Sequence, residues 1–328
     1  MRRKWKTICA AAIIISCAAA GCIYYYNHVF QITESDINAY INKTDSASKL
    51  KSSILRSVLL NTGQWREWRN PGKIKVSVIL SRIKGRQKDA VIVARGGIGK
   101  NVIALYEKRN GKFKYTVTVD TFADLRDVQI MPLREQGGSV IAIREHNGGS
   151  LEEGSYIRIY AWDEGKFQNV LSIPEKYVAY YNENKNSDKP GGNANWIKVS
   201  ERNDVLWENS DAPVVHVLQH QSFSLSAGVN RQERPDDSDF EIVRNRDIFE
   251  NYIWSGKWMH FILFEGTDRS NGEPVAVIED LSGSPYGLIG QYSETGGKYR
   301  VKYIDGTIET VDKDRIKPGI EVKKARRI

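Results

Sequence analysis

The sequence predicts a mainly β protein: an antiparallel, propeller-like or sandwich body, preceded by a short N-terminal helical stalk and followed by a small C-terminal barrel. Three observations carry that expectation. Past residue 70 the apolar residues come in short β-branched or aromatic runs, such as Ile74, Val76, Val78, Leu80 and Tyr115, Val117, Val119, broken by Gly, Asn and Asp. The chain holds 27 Gly and 9 Pro, with few sustained helical patterns. A hairpin pattern also repeats. Ile103, Leu105, Tyr106, Gly111, Lys112 and Phe113 return as Ile157, Ile159, Tyr160, Gly165, Lys166 and Phe167 at a constant offset of 54, and a weaker copy runs from Tyr252 to Trp258. A period near 50 residues is what four-stranded propeller blades give.

The first element, residues 1–26, reads as an export segment. Arg2, Arg3, Lys4 and Lys6 precede an uncharged run from Ile8 to Ala20, the order of a basic n-region and an apolar h-region. Ala19, Ala20, Gly21 and Cys22 follow, and they resemble a bacterial lipoprotein signal peptide, with Ala19 where that family prefers Leu. The resemblance implies lipidation of Cys22. A second reading is an uncleaved anchor from Ile8 to Tyr26, just long enough to cross a hydrocarbon core of about 30 Å, with Tyr24, Tyr25 and Tyr26 as an interfacial belt, and a third is ordinary cleavage or a buried helix. The first two place the rest of the chain outside the cytoplasm, tethered to the membrane and facing the periplasm or exterior.

This segment distorts whole-chain composition. It carries four basic residues and no acidic one, so the net charge of +8 falls to +4 without it, and the excess that would suggest a nucleic-acid partner largely goes. Cys9, Cys17 and Cys22 are the only cysteines. The remainder is therefore expected to have no disulfide, thiolate metal site or thiol nucleophile.

Residues 27–70 form the expected stalk: Ile32, Ile37, Tyr40, Ile41 and then Leu50, Ile54, Leu55, Val58, Leu59 recur at spacings of three and four, with Ser35 or Asp36 as candidate caps. Such a stalk either sets distance from the membrane or packs on the main domain. Residues 71–271 form the β-rich domain. Its hairpins resemble the FG-GAP and VCBS extracellular propeller repeats over about residues 74–264, although no Asp-x-Asp-x-Asp-Gly calcium loop accompanies them and no calcium site is carried over. Residues 272–318 carry short strands with Gly296-Gly297 and Asp305-Gly306 as turns, and resemble a Tudor or SH3-like barrel over about 273–318. That resemblance implies an aromatic cage, for which Tyr286, Tyr292 and Tyr303 are candidates. Residues 319–328 are a basic tail.

Motifs for chemistry are sparse. Arg95-Gly96-Gly97-Ile98-Gly99-Lys100-Asn101 looks like a phosphate loop, but lacks the hydroxyl after Lys100 and runs into a strand, so a hairpin turn is expected. His216 and His220 have the spacing of a metal pair, set among Val214, Val215, Val217 and Leu218 and with no third ligand nominated. His146, near Glu152 and Glu153, is the one candidate catalytic base. Trp65, Trp68, Trp254 and Trp258 are candidate stacking platforms for sugars, beside core-capping roles. The expectation is a non-enzymatic binding or scaffold protein of the bacterial envelope, without a cofactor, whose partners are the membrane and an envelope protein or cell-wall polymer. The alternative is an exported hydrolase acting on envelope glycans or esters.

Overall fold

The computed structural model describes residues 32–43, 47–64, 71–85, 87–97, 99–133, 137–182, 196–208, 212–226, 233–283, 285 and 297–319. The export segment, Cys22, Trp65, Trp68, Tyr286 and Tyr292 lie outside the described residues. Among the described residues the fold is mainly antiparallel β, with two α-helices and sheets that curl into half-barrels. It divides into two compact units, residues 1–81 with 87–122, and residues 82–86 with 123–328.

In the first unit, β1 (Ile32–Thr33) leads into α1 (Glu34–Ile41), and α2 (Ala47–Asn61) follows. Thr33, not Ser35 or Asp36, is the N-cap: its hydroxyl accepts the Asp36 amide at 3.1 Å, and the Asp36 carboxylate accepts the Thr33 amide at 2.9 Å. This reciprocal box satisfies two otherwise unpaired donors of the first turn. The sheet has the order β1-β5-β4-β3-β2, with β2 at Lys75–Ser81, β3 at Asp89–Arg95, β4 at Asn101–Arg109 and β5 at Lys112–Phe122. Ile37, Ile54, Leu55, Val58 and Leu59 share one core with Ala90, Ile92, Ala94, Val102 and Ala104. The helices are thus part of this unit, because a stalk with so continuous an apolar stripe needs a surface to cover it. The glycine-rich segment is the expected hairpin: Arg95 pairs Asn101, and Gly97 and Gly99 hold φ of 100° and 69°.

The second unit is built on an eight-stranded sheet in the order β13-β12-β11-β10-β9-β8-β7-β6. Its strands are β6 (Leu125–Leu133), β7 (Gly138–Gly148), β8 (Glu152–Asp163), β9 (Lys166–Asn182), β10 (Trp196–Glu208), β11 (Val214–Ser226), β12 (Phe240–Ser255) and β13 (His260–Ile262). Curling brings Val140, Ala142, Ile157 and Ile159 into one core with Val215, Val217, Trp254 and Phe261. The repeated hairpins are real: Arg109 pairs Lys112 and Asp163 pairs Lys166, each around a two-residue turn with positive φ, Asn110-Gly111 and Glu164-Gly165. The two copies lie in different sheets, which have five and eight strands.

The C-terminal sheet, order β17-β16-β15-β14-β18, belongs to the second unit. It comprises β14 (Phe264–Asp268), β15 (Pro274–Asp280), β16 (Lys298–Tyr303), β17 (Ile308–Asp312) and β18 (Ile316–Pro318), around Val275, Val277, Val301, Val311 and Ile316. Lys302 Nζ donates to the Trp258 carbonyl at 2.9 Å, and Leu263 packs on both cores, so this sheet is seated on the larger one. Among the described residues no helix is long and apolar enough to cross a membrane.

Candidate functional site

Strand alternation decides what faces inward on β10, β11 and β12. On β11 the odd positions are buried, from Val215 and Val217 to Phe223, and between them stand Gln219 and Gln221. On β10 the corresponding positions are Val199, then Glu201 and Asn203; on β12 they are Glu250, Tyr252 and Trp254. Register aligns Glu201 with Gln221 and Gln221 with Arg246. A polar belt therefore crosses the concave face between two apolar clusters, the large core on one side and Ile197, Val199 and Phe223 on the other.

The belt is closely bonded. Asn203 Nδ2 donates to Glu201 Oε1 at 2.5 Å and to the Pro174 carbonyl at 2.6 Å. Gln221 Nε2 donates to Glu201 Oε2 at 3.1 Å and to the Gly283 carbonyl at 2.6 Å, while its Oε1 accepts from Arg246 Nε at 2.8 Å. Glu250 Oε2 accepts from Gln219 Nε2 at 2.8 Å and from the Tyr252 hydroxyl at 2.6 Å. Burial holds both carboxyls above their ordinary range, and Glu250 reaches about 7, where Asp280, Glu279 and Glu201 add repulsion.

Of these residues Glu201, Gln219, Glu250 and Tyr252 floor a cavity of about 590 Å³ roofed by the C-terminal sheet, whose Ile278, Glu279, Asp280 and Arg300 also line it. His260 lines the same cavity and is 7% exposed. Its Nδ1 lies 2.8 Å from the Phe261 carbonyl, so Nδ1 carries the proton and Nε2 the lone pair. Burial lowers the imidazole to about 4 and keeps it neutral. The roof carboxylates have their own cations: Glu279 pairs Arg300 at 2.7 Å and Asp280 pairs Lys313 at 2.6 Å. A second cavity of the same volume holds two ion pairs, Lys198 with Asp237 at 3.3 Å and His220 with Asp247 at 2.8 Å.

The residues singled out from sequence lie elsewhere. His216 and His220 sit on the opposite face of β11, where His216 contacts Asn251 and Glu208 and His220 contacts Asp247 and Asp204. Among the described residues no three His, Cys, Asp or Glu side chains converge as a metal site. His146 is on β7, with Nε2 3.7 Å from Glu153 and away from the cavity. Trp254 is 5% exposed in the large core, edge-on to Phe261, and Trp258 is 3% exposed beside Ile262 and Ile278, so neither offers an open ring. Tyr303 is 7% exposed and donates its hydroxyl to Asp268 at 2.6 Å, which makes it a core residue of the C-terminal sheet and not a cage wall.

Glu201, Gln219, Gln221, Glu250 and His260 were not picked out in the sequence. The available signal was a polar residue in the inward phase of an apolar alternation, as with Glu250 ahead of Tyr252 and Trp254. No protein-family model and no curated protein matches the chain.

Proposed function

We propose that the protein is a membrane-tethered, extracytoplasmic binding protein of the bacterial envelope, acting without catalysis through the cavity between the eight-stranded sheet and the C-terminal sheet. The N-terminal sequence supports the tether and the location. The observation that carries the binding reading is Glu250, a buried carboxylate whose polar neighbours hold one oxygen while the other is left toward the cavity. Binding pockets typically combine an apolar lining with a few such fixed polar groups.

The test is thermal-shift screening of the full-length protein in detergent against neutral oligosaccharides, wall-peptide fragments and amines, with Gly283→Ala in parallel. A Cβ at position 283 would lie 3.5 Å from Glu250 Oε1, ordinary contact for the fold but an obstruction to a ligand there. A ligand whose stabilisation disappears in Gly283→Ala supports the reading, and no stabilising ligand counts against it. Diacylglycerol on Cys22, found by mass spectrometry, would establish the lipidated form of the tether.

The exported hydrolase remains the second reading, and one observation favours it: Glu250, held up to about 7 with Glu201 nearby, has the acidity a general acid needs. Turnover of a glycosidic or ester substrate, abolished by Glu250→Gln, would replace the first reading with this one.

A further inference from the structure

Glu250 differs from the roof carboxylates Glu279 and Asp280, which pair Arg300 and Lys313, in having no ion pair. It is 9% exposed; Oε2 is shared by Gln219 and Tyr252, and Asp280, Glu279 and Glu201 add negative charge around it. A buried carboxylate without a counter-ion is costly, and folded proteins normally supply one. Oε1 faces Gly283 and has no hydrogen bond among the described residues. A second acceptor lines the cavity at another point of its wall, opposite Ser255 of β12. His260 is 7% exposed, lines the cavity, and presents only a lone pair at Nε2 because Nδ1–H is held by the Phe261 carbonyl. The cavity thus offers acceptors to a ligand rich in N–H donors.

We propose that this cavity takes a primary ammonium group on an alkyl chain, with Glu250 as its counter-ion; the inference rests on the binding reading above. An ammonium brings three N–H donors and the missing positive charge. Its methylene chain matches Ile173, Val217 and Ile278, which line the same space. A metal cation fits less well, since no three ligating side chains converge among the described residues. The amine has two possible sources, a free diamine or polyamine, or the side chain of a lysine-like residue in a peptide.

Calorimetric titration of the full-length protein in detergent, at pH 8 and low salt, tests this with 1,5-diaminopentane, Nα-acetyl-lysine amide, tetramethylammonium chloride and sodium chloride. Both primary amines are expected to bind, with tetramethylammonium, which has no N–H, weaker by at least about tenfold. The tighter of the two amines identifies the source. Glu250→Gln and Gly283→Ala are each expected to weaken amine binding by at least about tenfold, the second while leaving the carboxylate and its charge in place. Three results overturn the proposal: no amine binding up to about 10 mM, equal binding of tetramethylammonium or sodium, or amine binding unchanged in both variants. A neutral saccharide that binds and is lost in Gly283→Ala, with amines silent, sinks this inference and leaves the binding reading standing; silence from every ligand sinks both.

Discussion

Asp268 in the C-terminal sheet and Glu250 on the concave face of the eight-stranded sheet are both removed from water, but their surroundings differ in kind. Asp268, at 0% exposed, receives Arg315 through Nε at 2.9 Å and a terminal nitrogen at 2.6 Å, the Tyr303 hydroxyl at 2.6 Å, and both the amide and hydroxyl of Ser270. Each of its oxygens is used, and the Arg315 bonds hold its carboxyl well below the usual range. Glu250 has two donors on one oxygen, none on the other and no cation, and burial raises it. One fold can evidently supply a full partner set to a buried carboxylate. Where it does not, the missing partner is more economically sought in a ligand than in the chain.

The two carboxylates also have opposite signs in their pH dependence. Asp268 is depressed, so it stabilises the fold above the ordinary aspartate range, and that contribution is lost only in strong acid as pH falls through its lowered value. Glu250 is raised, so the folded state binds its proton more tightly than the unfolded chain does. Stability therefore declines as pH rises from its ordinary value of 4.5 to about 7, and above that the charged form is a standing cost.

Substitutions can break the comparison at either end. The largest effect is expected for Asp268→Asn, which sets an amide donor among Arg315, Tyr303 and Ser270. A loss of about 2 to 3 kcal/mol in urea unfolding, similar at pH 6 and pH 8, is expected; it lies below the full cost of breaking a buried pair because Arg315 keeps 36% of its side chain in water. A neutral result would show that the Asp268 carboxylate gains little from Arg315, Tyr303 and Ser270. Next comes Glu250→Gln, which retains an oxygen for Tyr252 and Gln219 while removing the charge. At pH 8 it is expected to stabilise the ligand-free protein by about 1 to 3 kcal/mol, with the gain vanishing by about pH 5. A residue of purely structural value would show a loss at both pH values. The smallest effect belongs to His216→Ala and His220→Ala, whose carboxylate partners Glu208, Asp204 and Asp247 are mostly in water. Each should change stability by no more than about 0.5 to 1 kcal/mol and leave amine binding as it was.

What the sequence revealed and concealed follows from the range of the interactions. The hairpins at 109–112 and 163–166 were legible because a two-residue turn with Gly at its second position is a local demand. The apolar stripe of α2 was legible too, though its covering surface, β3 and β4, was not. Strand β11 shows why the site was missed. Both of its faces mix polar with apolar residues, His216, Leu218 and His220 on one and Val217, Gln219 and Gln221 on the other. Histidine spacing resembles a motif, whereas two glutamines mean something only once β10 and β12 place Glu201 and Glu250 beside them. Tyr303 and Trp254 misled for the related reason that an aromatic ring reads alike in a cage and in a core until its exposure is known.

An amine site in this cavity requires that Glu250 lack a cation that the ligand then supplies. Carboxyl-carbon NMR of the full-length protein in detergent, with Glu250→Gln used to assign the resonance, follows this group through a pH titration with and without saturating 1,5-diaminopentane. The expected result is a midpoint at about 7 without amine that moves down toward the ordinary glutamate value of 4.5 when amine is bound. A midpoint already in the ordinary range, or one that saturating amine does not move, would contradict it.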